Sequence, residues 1–110
     1  MTPSPASLLV LNTCPDQETA KKLAKLLVEQ KLAACVSLTA PLTSIYRWEG
    51  QVEQAEEIQL LIKTQRDCYP ALEAAIQANH PYTVPEIIAL PIETGLPAYL
   101  DWLQQETRRP

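Results

Sequence analysis

The spacing of hydrophobic residues predicts a strand and then a helix at the start of the chain. The run SLLVLNTC at residues 7–14 is mostly apolar and precedes a proline, which is typical of a short buried strand. In the segment that follows, Pro15 suits a first helical turn and Asp16 favours the positively polarised helix start. Helical spacing then defines one apolar face, formed by Ala20, Leu23, Ala24 and Leu27.

Residues 32–65 predict a long β-hairpin. The first half is rich in strand-forming residues, with Pro41 marking a bulge or a bend. Gly50 lies near the middle, where a turn would close the hairpin. The second half alternates, which places Ile58, Leu60 and Ile62 on one face and Glu57, Gln59 and Lys63 on the other.

Two helices and a strand are predicted in the remaining part. A helix at residues 66–79 has Asp67 as its N-cap and Pro70 in its first turn. Residues 86–93 form an apolar strand, in which Pro91 argues for an edge position or a bulge. A short closing helix follows. The inward-facing residues of the two helices are Leu72, Ala75 and Ile76, and then Leu100 and Leu103.

The order β-α-β-β-α-β-α predicts an α+β fold. A βαββαβ core is the ferredoxin-like arrangement, in which two split βαβ units form an antiparallel sheet with both helices on one face. The last helix is an addition at the C-terminal end. Since 110 residues suit one hydrophobic core, we expect a single domain over residues 1–110.

The length of the hairpin predicts an oligomer. An arm of roughly 14 residues spans about 45 Å at about 3.3 Å per residue, whereas a domain of this size has a radius of gyration of about 13 Å. The arm would project with unpaired edges and with apolar Ile45, Tyr46 and Trp48, which favours strand pairing between subunits. Alternatively, Pro41 breaks the arm into two short strands and the tip is only a loop.

Composition excludes several classes of protein. The formal net charge is -4, without the clustered Lys and Arg that nucleic-acid binding needs. No stretch approaches the roughly 18 apolar residues of a membrane span, and the N-terminal run is too short for a signal peptide, so we expect a cytoplasmic protein without membrane partners. Three cysteines without C-x-x-C spacing indicate neither a disulfide framework nor a zinc ribbon. The chain also lacks a Gly-rich phosphate loop, and we expect no enzymatic activity.

Four segments carry a resemblance to a known family. KLAACVSL, TSIYRWEGQVEQAEEIQLLIKTQ, HPYTVPEIIALPI and YLDWL stand in the order and spacing of the CutA family, the divalent-cation-tolerance proteins. The resemblance covers residues 8–103. It implies a ferredoxin-like subunit in a tight homotrimer with intertwined hairpins, similar in shape to PII signalling proteins. It also implies tolerance of copper and other divalent cations, without a required cofactor, with Cu(II) or a related ion as the ligand.

The chain departs from the family pattern at two positions that bear on metal binding. Family members often have Glu where this chain has Thr83, which removes a carboxylate beside the histidine. Some copper-linked members have Cys in the first strand where this chain has Asn12. The nearest thiol, Cys14, lies two residues further on, about 6–7 Å along the strand.

His80 and Cys14 are the candidate metal ligands. His80 is the only histidine, and a neutral imidazole suits Cu(II) and Zn(II). Cys14 lies between a strand and a helix start, where the pKa of a thiol can fall. The alternatives are that His80 caps the second helix as an imidazolium, with Pro81 and Pro85 fixing the exit of the chain, and that Cys14 is a small surface-loop residue.

A second candidate site is a cleft between subunits that binds a small molecule. Aromatic residues with a polar group favour interfaces, and Lys63 and Glu57 on the polar face of the third strand could add charge to the cleft. The alternative is that these residues only pack the trimer and its rim. Separately, Glu53, Glu56 and Glu57 are predicted as a solvated strand surface instead of a cation site. The candidate cleft residues are Tyr46, Trp48, Lys63, Tyr82 and Glu86.

Overall fold

The computed structural model describes residues 6–108 and has the predicted order of elements, with one arm of the hairpin divided in two. The strands are β1 (Ser7–Cys14), β2 (Cys35–Leu38), β3 (Leu42–Trp48), β4 (Gln51–Gln65) and β5 (Ile88–Pro91). The helices are α1 (Gln17–Glu29), α2 (Tyr69–Asn79) and α3 (Pro97–Gln105), with a 3₁₀ turn at Arg66–Cys68. In the part of the chain that is described, no helix is long and apolar enough to cross a membrane.

The sheet has the ferredoxin-like order. Strands β2, β4, β1 and β5 lie side by side in that sequence, and β3 pairs with the far half of β4. All pairings are antiparallel. β5 is an edge strand, so Pro91 occupies the predicted edge position.

Helices α1 and α2 cover one face of the sheet. The predicted faces of both helices are confirmed, because all four apolar residues of α1 are buried and Leu72 and Ile76 of α2 are fully buried. Helix α3 lies at one end of the opposite face, where Gln104 Nε2 donates to Ser7 Oγ at 3.3 Å. The core between the helices and the sheet includes Val10, Leu23, Leu27, Leu60, Ile62, Leu72 and Ile76.

Two predictions about helix starts need correction. Asp16 is the N-cap of α1 and its carboxylate accepts a hydrogen bond from the Thr19 N–H at 2.8 Å, so Pro15 precedes the helix instead of lying in its first turn. Asp67 lies inside the 3₁₀ turn, and Cys68 holds the N-cap position of α2. The 3₁₀ turn shifts the helix start, which the sequence pattern did not reveal.

The hairpin combines the two alternatives that the sequence left open. Pro41 does break the first arm, because β2 ends at Leu38 and β3 begins at Leu42. The tip, however, is a paired hairpin: every residue of β3 faces a partner in β4. Glu49 and Gly50 close it with φ of 50° and 80°, the left-handed pair that matches the twist of a two-residue hairpin turn. The longest dimension of the molecule is 45 Å, so the hairpin projects as expected.

Helix α1 ends in a Schellman motif that places a lysine in the left-handed region. The N–H of Leu32 donates to the carbonyl of Leu27 at 2.9 Å, and the N–H of Lys31 donates to that of Val28 at 3.0 Å. Leu27 and Leu32 are both buried, which completes the motif's hydrophobic contact. Lys31 has φ of 59°, where glycine is the residue normally preferred.

We expect Lys31→Gly to raise the free energy of unfolding by up to about 1 kcal/mol, because it relieves the steric cost of a side chain in the left-handed region. The matched control is Lys25→Gly on the exposed face of α1. It should lower the free energy of unfolding by about 0.5–1 kcal/mol, since glycine is unfavourable inside a helix. Urea unfolding at one protein concentration measures both. Equal losses in the two variants would contradict the assignment of strain to Lys31.

Candidate functional site

His80 ties the segment after α2 to the end of β1. Its Nε2 lies 2.8 Å from the carbonyl oxygen of Thr13, and its Nδ1 lies 3.1 Å from the backbone nitrogen of Tyr82. A carbonyl only accepts and an N–H only donates, so the hydrogen-bond pattern assigns the proton to Nε2 of a neutral ring. His80 does hold the C-cap position of α2, but its imidazole turns to β1. The predicted imidazolium at the helix end is therefore not its role.

A chain of buried polar groups extends from His80 along β1. The Cys14 Sγ lies 3.7 Å from His80 Nε2 and donates to Asn12 Oδ1 at 3.5 Å. Asn12 Nδ2 donates in turn to the carbonyl of Glu86 at 2.8 Å. Asn12 and Cys14 are both fully buried. Residues 80–87 are thus anchored to β1 at both ends, by His80 and by Asn12. The signal in the sequence was Asn12, a polar residue in a mostly apolar strand.

The predicted lowering of the Cys14 pKa is wrong. Cys14 is the last residue of β1, and burial raises the pKa of its thiol to about 11, with further contributions from the negative charges of Asp16 and Glu57. The alternative of a surface-loop residue is also wrong, because Cys14 is fully buried. Only two residues separate β1 from α1, which keeps Cys14 in the sheet.

The structure brings the two candidate metal ligands into contact. A thiol and an imidazole are donors that suit copper and zinc. Both imidazole nitrogens of His80 are engaged in hydrogen bonds, so an ion at Nε2 would replace the bond to Thr13. Across residues 6–108, no group of three or more His, Cys, Asp and Glu side chains is arranged to hold a metal ion. The donor atoms of this pair suit such an ion in their chemistry, and the pair would supply two of the ligands that the ion needs.

Glu57 is buried, which corrects its prediction as part of a solvated strand surface. Its side chain is 7% exposed, and its Oε2 accepts a hydrogen bond from the Tyr82 hydroxyl at 2.7 Å. The pKa of Tyr82 lies well above its ordinary value, mainly because the hydroxyl is buried and also because it donates to the negatively charged Glu57. Strand alternation indicated the face on which Glu57 lies, but the segment that covers this face comes from a distant part of the sequence.

Four of the five predicted cleft residues line one groove. The groove has a volume of about 740 Å³ and lies between the hairpin tip and residues 81–86. Lys63 does not reach it within this chain: its Nζ donates to Ser37 Oγ at 2.9 Å and to the Leu61 carbonyl at 3.1 Å. The predicted residues that line the groove are Tyr46, Trp48, Tyr82 and Glu86.

The aromatic residues of the groove come from one face of the hairpin. Tyr46 pairs with Glu53 and Trp48 pairs with Gln51 in the β3–β4 ladder. Alternation places these two aromatic side chains on the face that also carries Glu57. They remain 45% and 44% exposed, so the groove has aromatic walls that are open to a ligand or to another chain.

We expect Tyr82→Phe to lower the free energy of unfolding by about 1.5–3 kcal/mol, because it leaves the buried Glu57 carboxylate without its hydroxyl donor. Tyr69→Phe is the matched control, since the Tyr69 hydroxyl donates to Glu73 Oε2 at 2.8 Å within α2, where Glu73 is only half-buried. Its cost should be smaller, about 1 kcal/mol or less. Thermal and urea unfolding of both variants provide the comparison. Equal losses in the free energy of unfolding would mean that the hydrogen bond to buried Glu57 stabilises the fold no more than the bond to half-buried Glu73.

Known proteins resemble this chain over most of its length. Residues 8–106 match the family described as CutA1 divalent ion tolerance protein. The divalent-cation tolerance protein CutA of Thermus thermophilus is 52% identical over 99 residues, which cover 90% of this chain and 96% of that protein. A solved structure of the divalent cation tolerance protein from Thermus thermophilus has a TM-score of 0.91 at 51% identity and covers 93% of this chain and 99% of that one.

Two further relatives come from distant organisms. CutA of Mus musculus is 48% identical over 95 residues, which cover 86% of this chain and 54% of the mouse protein, so this chain spans about half its length. A structure described as the periplasmic divalent cation tolerance protein CutA of Archaeoglobus fulgidus has a TM-score of 0.88 at 39% identity, covering 91% of this chain and 97% of that one. By both sequence and fold, this chain belongs to the CutA1 divalent ion tolerance protein family.

Proposed function

We propose that this chain is a non-enzymatic divalent-cation tolerance protein that binds copper or a related ion at Cys14 and His80 and acts as a homotrimer. The observation that carries the metal site is the 3.7 Å contact between the Cys14 thiol and the Nε2 of His80. The names of the relatives support the cation-tolerance role.

Binding at this pair depends on pH. A cysteine binds a metal ion as the thiolate, so the ion has to displace the proton of the Cys14 thiol. With a Cys14 pKa of about 11, deprotonation at pH 7 costs roughly 5 kcal/mol. Competition with the proton therefore lowers the apparent affinity at neutral pH, and the affinity rises about tenfold for each unit by which the pH increases toward the thiol pKa. The remaining ligands come from solvent or from a neighbouring copy of the chain.

A Co(II) titration tests the metal site, because Co(II) does not oxidise thiols as Cu(II) does and reports a bound thiolate by its charge-transfer absorption. We expect saturation at one ion per chain, with an apparent affinity about tenfold higher at pH 8 than at pH 7. Ni(II) should compete more strongly than Co(II), in accordance with the Irving–Williams order. Nickel can replace cobalt as a second probe of the same ligands.

The variants for this titration are Cys14→Ser and Cys68→Ser. Cys68 is also a buried thiol, and its Sγ donates to the Arg108 carbonyl. The absorption and the saturable binding should disappear in Cys14→Ser and persist in Cys68→Ser. Unchanged binding of Co(II) by Cys14→Ser would show that Cys14 is not a metal ligand and would contradict the proposed site.

The uncovered face of the sheet supports the proposed homotrimer. Ile88 is 51% exposed and Leu90 44% exposed, and β1 and β4 contribute half-buried leucines beside them. A continuous apolar face of this kind calls for cover by another layer. Three copies is the number that the resemblance to CutA implies. The uncovered face consists of Leu9, Leu11, Leu61, Ile88 and Leu90.

We expect sedimentation or light scattering to give three times the mass of one chain. Leu90→Asp should shift the protein toward the monomer, because it places a charge on the face that we assign to subunit contacts. Val28→Asp is the matched control, since Val28 is a similarly exposed apolar residue, at 40%, on α1. It should leave the mass unchanged. A wild-type monomer at micromolar concentration, or loss of the trimer in both variants alike, would argue against this interface.

The groove favours a second candidate function, a PII-like signalling or scaffold trimer that binds a small molecule. The supporting observation is that Tyr46, Trp48, Tyr82 and Glu86 line one groove of about 740 Å³. Lys63 joins this site only if a neighbouring copy brings it there. Saturable binding of an organic compound that shifts the emission of Trp48 favours this candidate over the metal site.

We place the protein in the cytoplasm, without nucleic-acid or membrane partners. The net charge of -4 supports the absence of a polyanionic partner. The archaeal relative is described as periplasmic, which supports the alternative that this protein lies outside the cytoplasm. Fractionation of source cells, followed by detection of the native protein, decides between the two.

A further inference from the structure

The groove holds a buried carboxylate that the proposed metal site does not use. Glu57 borders the groove and is only 7% exposed. The Tyr82 hydroxyl takes one of its two oxygens, at 2.7 Å. The hydroxyl donates this hydrogen bond without neutralising the carboxylate. A charge removed from water in this way is usually paired with a cation.

The other residues around the groove add negative charge and aromatic faces. Glu86 is a second carboxylate in the lining. Among the described residues that line the groove, none is a lysine, an arginine or a histidine. Tyr46 lies close enough to Tyr82 to interact with it electrostatically, and Trp48 extends the aromatic wall toward the hairpin tip.

We propose that the groove binds a small organic cation of the substituted-ammonium class, with its charge at Glu57 and its apolar body against Tyr46 and Trp48. Aromatic faces attract ammonium groups, and the attraction is stronger where water is excluded. An anion would be repelled by the two carboxylates, and a neutral compound would leave the charge of Glu57 unpaired. The volume of about 740 Å³ lies in the range of small-molecule sites. This inference rests on the second candidate function, the small-molecule cleft.

Three probes of one shape and different charge test the inference. Choline is the cation, 3,3-dimethylbutan-1-ol is its neutral isostere and 3,3-dimethylbutanoate is the corresponding anion. Trp48 reports binding by fluorescence in a Trp102→Phe background, since the chain has two tryptophans and Trp102 lies on α3. We expect saturable binding of choline, at least tenfold tighter than that of the alcohol, and no binding of the anion.

Two variants with the same change in charge assign the binding to one carboxylate. Glu57→Gln keeps an oxygen that can accept from Tyr82 but removes the charge, and we expect at least a tenfold loss of choline affinity. Glu56→Gln alters the exposed neighbour on the opposite face of β4, and the affinity should be unchanged. If Glu57→Gln does not fold, Tyr46→Leu retains both Trp48 and the carboxylate and should weaken choline binding several-fold.

Each alternative outcome overturns a defined part of the argument. Equal or tighter binding of the alcohol or the anion overturns the cation class and leaves the small-molecule cleft standing. No binding by any of the three probes overturns the inference of an organic-cation site, whereas the small-molecule cleft itself is judged by the response of Trp48 emission to other organic compounds. Trp48 emission that is already shielded, and becomes exposed on dilution to monomers, means that a second copy of the chain fills the groove and overturns the inference. The Co(II) titration involves neither Trp48 nor choline, so the metal site is judged separately.

Discussion

The long strand β4 is the constraint on which the rest of the structure depends. Its fifteen residues pair with β1 and β2 in one half and with β3 in the other. The C-terminal half therefore belongs to the core, and the N-terminal half leaves it as a projecting hairpin. Because side chains alternate, one strand supplies Leu60 and Ile62 to the helices and Leu61 to the uncovered face. It also carries Glu57 to the border between core and hairpin, where the groove forms.

The segment at residues 80–87 supplies His80, Tyr82 and Glu86 to the border between the core and the hairpin. It returns from α2 across the end of β1 and is anchored there by two hydrogen bonds, from His80 to the Thr13 carbonyl and from Asn12 to the Glu86 carbonyl. Such contacts stabilise a unique position for the segment, because an alternative packing would leave buried polar groups without partners. Tyr82 is thereby held over Glu57. Residues 80–87 thus serve to connect α2 to β5 in a fixed position. The His80–Cys14 pair lies at the start of this segment, and the groove is lined by the residues that follow it.

The candidate metal pair and the groove are electrostatically linked through Glu57. Its negative charge helps to raise the pKa of the Cys14 thiol on one side and that of the Tyr82 hydroxyl on the other. A positive charge bound at the Cys14–His80 pair or in the groove would be attracted by the Glu57 carboxylate. The two candidate functions therefore draw on a single region of negative potential, although they use different ligands and different contact residues.

The sequence by itself determined the order of the elements, the core faces of the helices, the alternation of β4 and the turn at Gly50, since all of these follow from local periodicity and turn chemistry. It also indicated His80, Cys14 and four of the groove residues. Only the tertiary structure decided their environments. Cys14 has a raised pKa, Glu57 is buried and Lys63 lies outside the groove because residues far apart in the sequence cover or fail to reach them. Burial depends on these long-range contacts, whereas periodicity reports only which face a side chain takes.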